Sequence, residues 1–184
     1  MITRDQAYDK IKELISNQNL IKHCLAVEAA MRSYADHFNV SPSEKELWGI
    51  AGLVHDADWE KYPDKHPTVI IEWMKEQGAS DELLNAIAAH GFNFGIEAKT
   101  RMAKTIRAVD ELTGLLVAIA LVKGRKLTHV TVESVLKKWN QKAFAAGVNR
   151  ADIERGADEL GIPLEEHIDR VLKSLQSIAP TLGL

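Results

Sequence analysis

Apolar residues recur along this chain at intervals of three and four and almost nowhere alternate, so the pattern predicts helices and an all-α fold. Thr3 followed by Gln6 reads as a capping box opening a first helix, with Ala7, Ile11, Leu14 and Ile15 at helical spacing. A second helix is expected from about Leu20 to Phe38, partly burying Ile21, Leu25, Val27, Ala30 and Met31. Ser41-Pro42-Ser43-Glu44 supplies a cap, a proline at the first helical position and an acid at the third. The helix it opens carries Leu47, Trp48, Ile50, Ala51, Leu53 and Val54 straight into His55-Asp56.

After a loop from Ala57 to Lys65, one helix is expected from Pro67 to a stop at Gly78, and another from Ser80-Asp81 to His90-Gly91. The stretch from Gly91 to Gly95 reads as a loop, followed by a long helix from about Ala98 to Val122. Basic and polar residues from Lys123 to His129 then precede three shorter helices, one capped by Asn149 and the last set off by Gly161-Ile162-Pro163. These elements predict a single domain over 1–184, with a core at 20–122 and a helical C-terminal extension, 123–184, packed on it. Val135, Leu136, Trp139 and Phe144 in that extension offer apolar surface either to the core or to a second copy, so a homodimer stays open.

Composition narrows the function classes. Apolar residues make up 46% and charged residues 27% of 184, which suits a globular domain rather than a disordered chain. The net charge of −3 gives no support for broad binding to a nucleic acid polymer or an acidic membrane. The lone cysteine, Cys24, excludes an internal disulfide and a Cys-rich zinc site, and a buried structural thiol is its better reading. No secretory h-region is visible in residues 1–14, and the longest apolar run, Leu115 to Val122, is too short to span a bilayer. A cytoplasmic protein is the expectation.

The candidate chemistry centres on His55-Asp56. The pair ends an apolar helix, where a buried imidazole and carboxylate must be paired or bind metal. Imidazole nitrogen and carboxylate oxygen suit first-row divalent cations. His23 lies in a second apolar segment and Asp110 in a third, beside Ile106, Val109, Thr113 and Leu116. For Asp110 a salt bridge to Arg107 or a buried hydrogen bond is an equal alternative to metal ligation.

The order His23, His55-Asp56, Asp110, each from a different helix, resembles the HD superfamily of metal-dependent phosphohydrolases over about residues 20 to 122. His66 and His90 fall between His-Asp and the final Asp, which resembles the binuclear H…HD…H…H…D subgroup. The resemblance implies metal ligation by His23, His55, Asp56, His66, His90 and Asp110. It implies one or two divalent ions (Mn, Fe, Mg, Zn, Ni or Co), and with two, Asp56 bridges ions ~3.5–4 Å apart. His37, His129 and His167 lie outside the pattern and are expected to be surface or structural residues. The chain departs from several binuclear relatives in placing Ala57-Asp58 after the pair, and it lacks the extended signature of cyclic dinucleotide phosphodiesterases. Asp58 is either an acid supporting the ligands or, the safer reading, the start of the next turn.

That resemblance implies hydrolysis of a phosphate ester of a small molecule, a nucleotide or related metabolite, by metal-activated water oriented by Asp56 or Asp110. Lys61, Lys123, Arg125 and Lys126 are candidate phosphate contacts, and Trp59 and Tyr62 candidate stacking surfaces, although solvation and packing are the commoner fates of such residues. Two other classes stay open: a di-iron HD-type oxygenase using the same six ligands, and a non-catalytic metal- or nucleotide-binding HD domain.

Overall fold

The computed structural model describes residues 2–141 and 143–184. Ten α-helices form, with no strand among the described residues: α1 (Arg4–Leu14), α2 (Gln18–His37), α3 (Pro42–Val54), α4 (Thr68–Glu76), α5 (Asp81–Ala88), α6 (Arg101–Val122), α7 (Val132–Trp139), α8 (Arg150–Leu160), α9 (Leu164–Ser177) and α10 (Ala179–Leu182). Their starts follow the local chemistry. Thr3 with Gln6 and Ser41 with Glu44 form reciprocal capping boxes, while Ser80 and Asn149 cap α5 and α8. The long helix begins three residues later than its apolar pattern suggests, because the Thr100 side chain accepts from Ala103 N. Three loops contain short 3-10 turns, Pro63–Lys65, Phe92–Phe94 and Leu127–His129.

The centre of the bundle is the packing of α2 on α3, with α6 crossing α2. Gly52 allows the first approach: a Cβ there would lie 2.8 Å from Val27 O, so a side chain would push α3 off α2. That closeness brings the first turn and a half of α2 to the C-terminal end of α3. Buried Glu28 accepts from Arg4 and Arg32, tying α1 to the same pair.

The C-terminal helices lie on this core, α8 along α6 and α9 against α2 and α6. Gly156 permits the α8 contact, since a Cβ there would sit 2.5 Å from Ala108 Cα. Val135 is buried, and Leu136, Trp139 and Phe144 pack partly against the core. His167 on α9 is a buried structural clamp. Its Nε2–H donates to Ala108 O on α6 at 2.9 Å, which leaves Nδ1 to accept from Tyr34 Oη on α2 at 2.5 Å. Burial holds the His167 pKa down, to about 4, so the ring is neutral in this role. No described helix is long and apolar enough to cross a membrane.

Candidate metal centre

Five helices bring side chains together at one end of the α2–α3–α6 core. His23 comes from α2, His55 is the C-cap of α3, Asp56 follows it, and Asp110 lies mid-way along α6. His66 precedes α4, and His90 follows the C-cap of α5. The six side chains form two groups, His23/His55/Asp110 and Asp56/His66/His90, each with donor atoms within 4.8 Å of one another.

Hydrogen bonds fix which nitrogen each ring presents. His55 Nδ1 lies 2.8 Å from Gly52 O and His90 Nδ1 lies 2.7 Å from Ile87 O. A carbonyl can only accept, so both Nδ1 atoms carry the proton and both Nε2 atoms carry a lone pair. His66 Nδ1 donates to the Asp58 carboxylate at 2.6 Å, with the same consequence. Thr113 Oγ1 donates to Asp110 O and faces His23 Nδ1 at 3.4 Å, so His23 is turned the same way, more loosely.

The result is a ring of electron pairs aimed inward. His66 Nε2 and His90 Nε2 stand 3.2 Å apart, lone pair against lone pair. His55 Nε2 is buried with no hydrogen-bond partner, at 3.4 Å from Asp110 Oδ1 and 3.5 Å from Asp56 Oδ2. His23 Nε2 lies 2.9 Å from Asp110 Oδ1 and 3.5 Å from Asp56 Oδ2. The other Asp56 oxygen, Oδ1, lies 3.4 Å from His66 Nε2 and 3.5 Å from His90 Nε2. Asp56 therefore faces one group with each oxygen. Buried nitrogen lone pairs and carboxylates at these distances repel unless a cation or protons lie between them, and the donor set fits a borderline divalent cation.

The carboxylates draw positive charge to the same place, a proton on the imidazole where no cation lies. Burial would lower the His55 pKa, but the Asp56 and Asp110 carboxylates outweigh it and raise it to about 9. Burial would raise Asp56 and Asp110, yet His55 and the neighbouring histidines hold both below the usual carboxylate range. Cys24 is fully buried, and its thiol is pushed well up by that burial and by the two carboxylates, so it is inert packing.

A family model described as "HD domain" matches residues 20–115, a little over half of the chain. The chain belongs to the HD domain family. HD domains bind divalent metals and the family generally includes phosphohydrolases. Comparison with curated proteins and with solved structures returns no match.

The HD centre opens into a cavity of about 200 Å³, whose walls include Asp56, His66, His90 and Asp110. Phe92 and Phe94 from the Gly91–Gly95 loop and half-exposed Trp59 form its aromatic side. Arg107 also lines it, but as a staple: Nε donates to Ala89 O at 2.9 Å and Nη2 to Ile96 O at 2.6 Å, with the guanidinium over the Phe92 ring. The salt bridge from Arg107 to Asp110 weighed in the sequence does not form; the partners of Asp110 are His23 and His55. Glu111 and Asp152 complete the wall, and Asp152 comes from the C-terminal extension.

Lys61 lies over the Tyr62 ring, Lys123 donates to His129 O, and none of Lys61, Lys123 and Lys126 lines this cavity; Arg125 lines a different cavity, beside His23. Charge in a loop gave no information about direction. Asp58 does not merely begin a turn. It is buried, with Oδ1 accepting from His66 and Oδ2 accepting from Ile70 N at 2.9 Å, and so joins the His66 ring to the start of α4. His66 is accordingly not solvated, with its side chain 2% exposed. The hint for Asp58 was its place two residues beyond Asp56; for Arg107, Thr113 and the extension's Asp152 the sequence carried no comparable signal.

Proposed function

We propose that this HD domain is a binuclear metal-dependent phosphohydrolase acting on a phosphate ester of a small molecule. The observation that carries the reading is the inward set of nitrogen lone pairs, each fixed by a hydrogen bond at the opposite nitrogen, around a carboxylate that faces both groups. In it, His23, His55 and Asp110 would hold one divalent cation and His66 and His90 the other, with Asp56 available to both.

Phosphate esters resist attack because their anionic oxygens repel a nucleophile. Cations bound here supply the remedy, screening that charge and lowering the pKa of water. The chain's own residues do the rest. Asp110 and Asp56, kept ionised by the histidines, accept hydrogen bonds from the incoming water and orient it. Trp59, Phe92 and Phe94 restrict water on one side of the cavity. No serine or cysteine among the described residues lines this cavity, and the reading needs no protein nucleophile. A cytoplasmic setting belongs to the same reading, supported by the single buried thiol of Cys24.

The test is phosphate release from p-nitrophenyl phosphate and a panel of nucleoside monophosphates, with Mn, Fe, Mg, Zn, Ni or Co added. Release that is lost in Asp110→Ala and on chelation supports the proposal. Bound iron with oxygen-dependent turnover and no phosphate release replaces it with oxygen chemistry. Metal binding without turnover of either kind leaves a binding domain.

A further inference from the structure

A second cavity of about 290 Å³ begins at His23 and lies between the start of α2 and the C-terminal half of α6. Its walls are apolar: Val117 and Leu121 of α6, with Leu182 and Leu184 from the C-terminus opposite. Asp110, Gly114, Val117 and Leu121 follow one another on α6 at spacings of four, three and four, so they form one stripe of that helix. The trough thus starts beside the metal centre, at His23, and follows α6, whose stripe from Asp110 to Leu121 is about 16 Å long at 1.5 Å per residue.

Two features indicate that this trough is kept open for a ligand. Gly114 sits inside a long helix, where glycine is destabilising relative to alanine. Neighbouring structure does not demand it, since a Cβ would meet only Val148 Cγ2, at 3.9 Å. This contrasts with Gly52 and Gly156, whose missing side chains are filled by a neighbouring helix. The second feature is charge. Lys22 and Arg125 line the trough, neither forms an ion pair among the described residues, and no acidic side chain faces them there.

We infer that the trough holds the organic part of the substrate, an alcohol with an extended apolar body that also carries an anionic group, esterified to the phosphate that lies at the metal centre. This rests on the phosphohydrolase reading above. Apolar walls remove the body from water, the bare Gly114 gives it room, and Lys22 and Arg125 supply the positive charge that attracts the anion. Carboxylate and phosphate share that anionic chemistry.

The test uses phosphonates, which bind without being hydrolysed. Titration calorimetry of the metal-loaded protein compares methylphosphonate with 10-phosphonodecanoate. The long ligand is expected to bind at least tenfold more tightly, with that advantage lost in Gly114→Leu and reduced in the double variant Lys22→Ala/Arg125→Ala. Leu121→Glu, at a position 44% exposed, is the second blocking variant if Gly114→Leu does not fold. Equal affinities in the wild-type protein, or an advantage that survives the folded blocking variants, overturn the inference. Decanoate, which needs no metal, is expected to bind the trough and to be lost on blocking; absence of binding likewise overturns it. Chain-length discrimination without phosphate release from any ester would instead remove the phosphohydrolase reading and leave the trough as a binding site.

Discussion

Replacing Asp58 by asparagine changes no shape and should still empty half of the metal centre. The carboxylate accepts twice, from His66 Nδ1 at 2.6 Å and from Ile70 N at 2.9 Å, and is fully buried. An amide has one accepting oxygen. If that oxygen stays on Ile70 N, the NH₂ group faces His66 and forces Nδ1 to accept, so the proton moves to Nε2 and the ring can no longer ligate. If the amide turns over, the buried Ile70 N–H faces a donor, at a cost of about 1–3 kcal/mol. Either outcome degrades the ring's support, and loss of such support typically lowers metal affinity about 10–100-fold. That corresponds to about 1.4–2.8 kcal/mol of binding. The assay is metal titration of Asp58→Asn against a competing chelator, with stoichiometry read at each step. The weakened site should be the one made by Asp56, His66 and His90, while the His23/His55/Asp110 site changes little. Wild-type affinity at both sites would refute the argument that the Asp58 hydrogen bond sets the His66 tautomer.

Arg107→Leu removes two charged hydrogen bonds to Ala89 O and Ile96 O, and should lower stability by about 2–4 kcal/mol in urea denaturation. The same change should weaken metal binding, because those carbonyls flank the loop that carries His90. His167 titrates near 4 when folded and near its ordinary value of 6.5 when unfolded, so its contribution is fully present above about pH 6.5 and is lost as pH falls towards 4. The loss is about 3 kcal/mol, and His167→Gln should flatten that part of the pH–stability curve. At the metal centre a proton on His55, whose pKa is raised to about 9, competes with the cation. Apparent metal affinity should therefore climb with pH and level off near 9, measured by chelator competition across the range.

The helices were legible because period and caps are local properties, and Thr3, Ser41, Ser80 and Asn149 act within three residues of themselves. His23, His55, Asp56, His66, His90 and Asp110, which the fold brings together, were singled out in the sequence through their order, which resembles the HD superfamily. What surrounds them was not. Asp58 acts through a turn and a proline to reach Ile70, Arg107 turns away from Asp110 to staple another loop, and Asp152 arrives from forty residues beyond. Those pairings depend on how helices cross, which Gly52 and Gly156 decide by permitting close approach, and a glycine in a sequence does not say what will fill its space. The basic residues show the same gap from the other side. Lys61, Lys123 and Lys126 have the right chemistry for phosphate and do not line the cavity at the metal centre, whereas Arg125 meets a cavity along α6.

The most direct test of the account is the metal content of protein purified without chelator and then supplied with divalent cation, beside His66→Ala. Elemental analysis should give about two equivalents per chain, falling to about one in the variant, because Asp56 faces two separate groups of ligands. No bound metal under any supplementation, or a single equivalent that His66→Ala leaves unchanged, would contradict it.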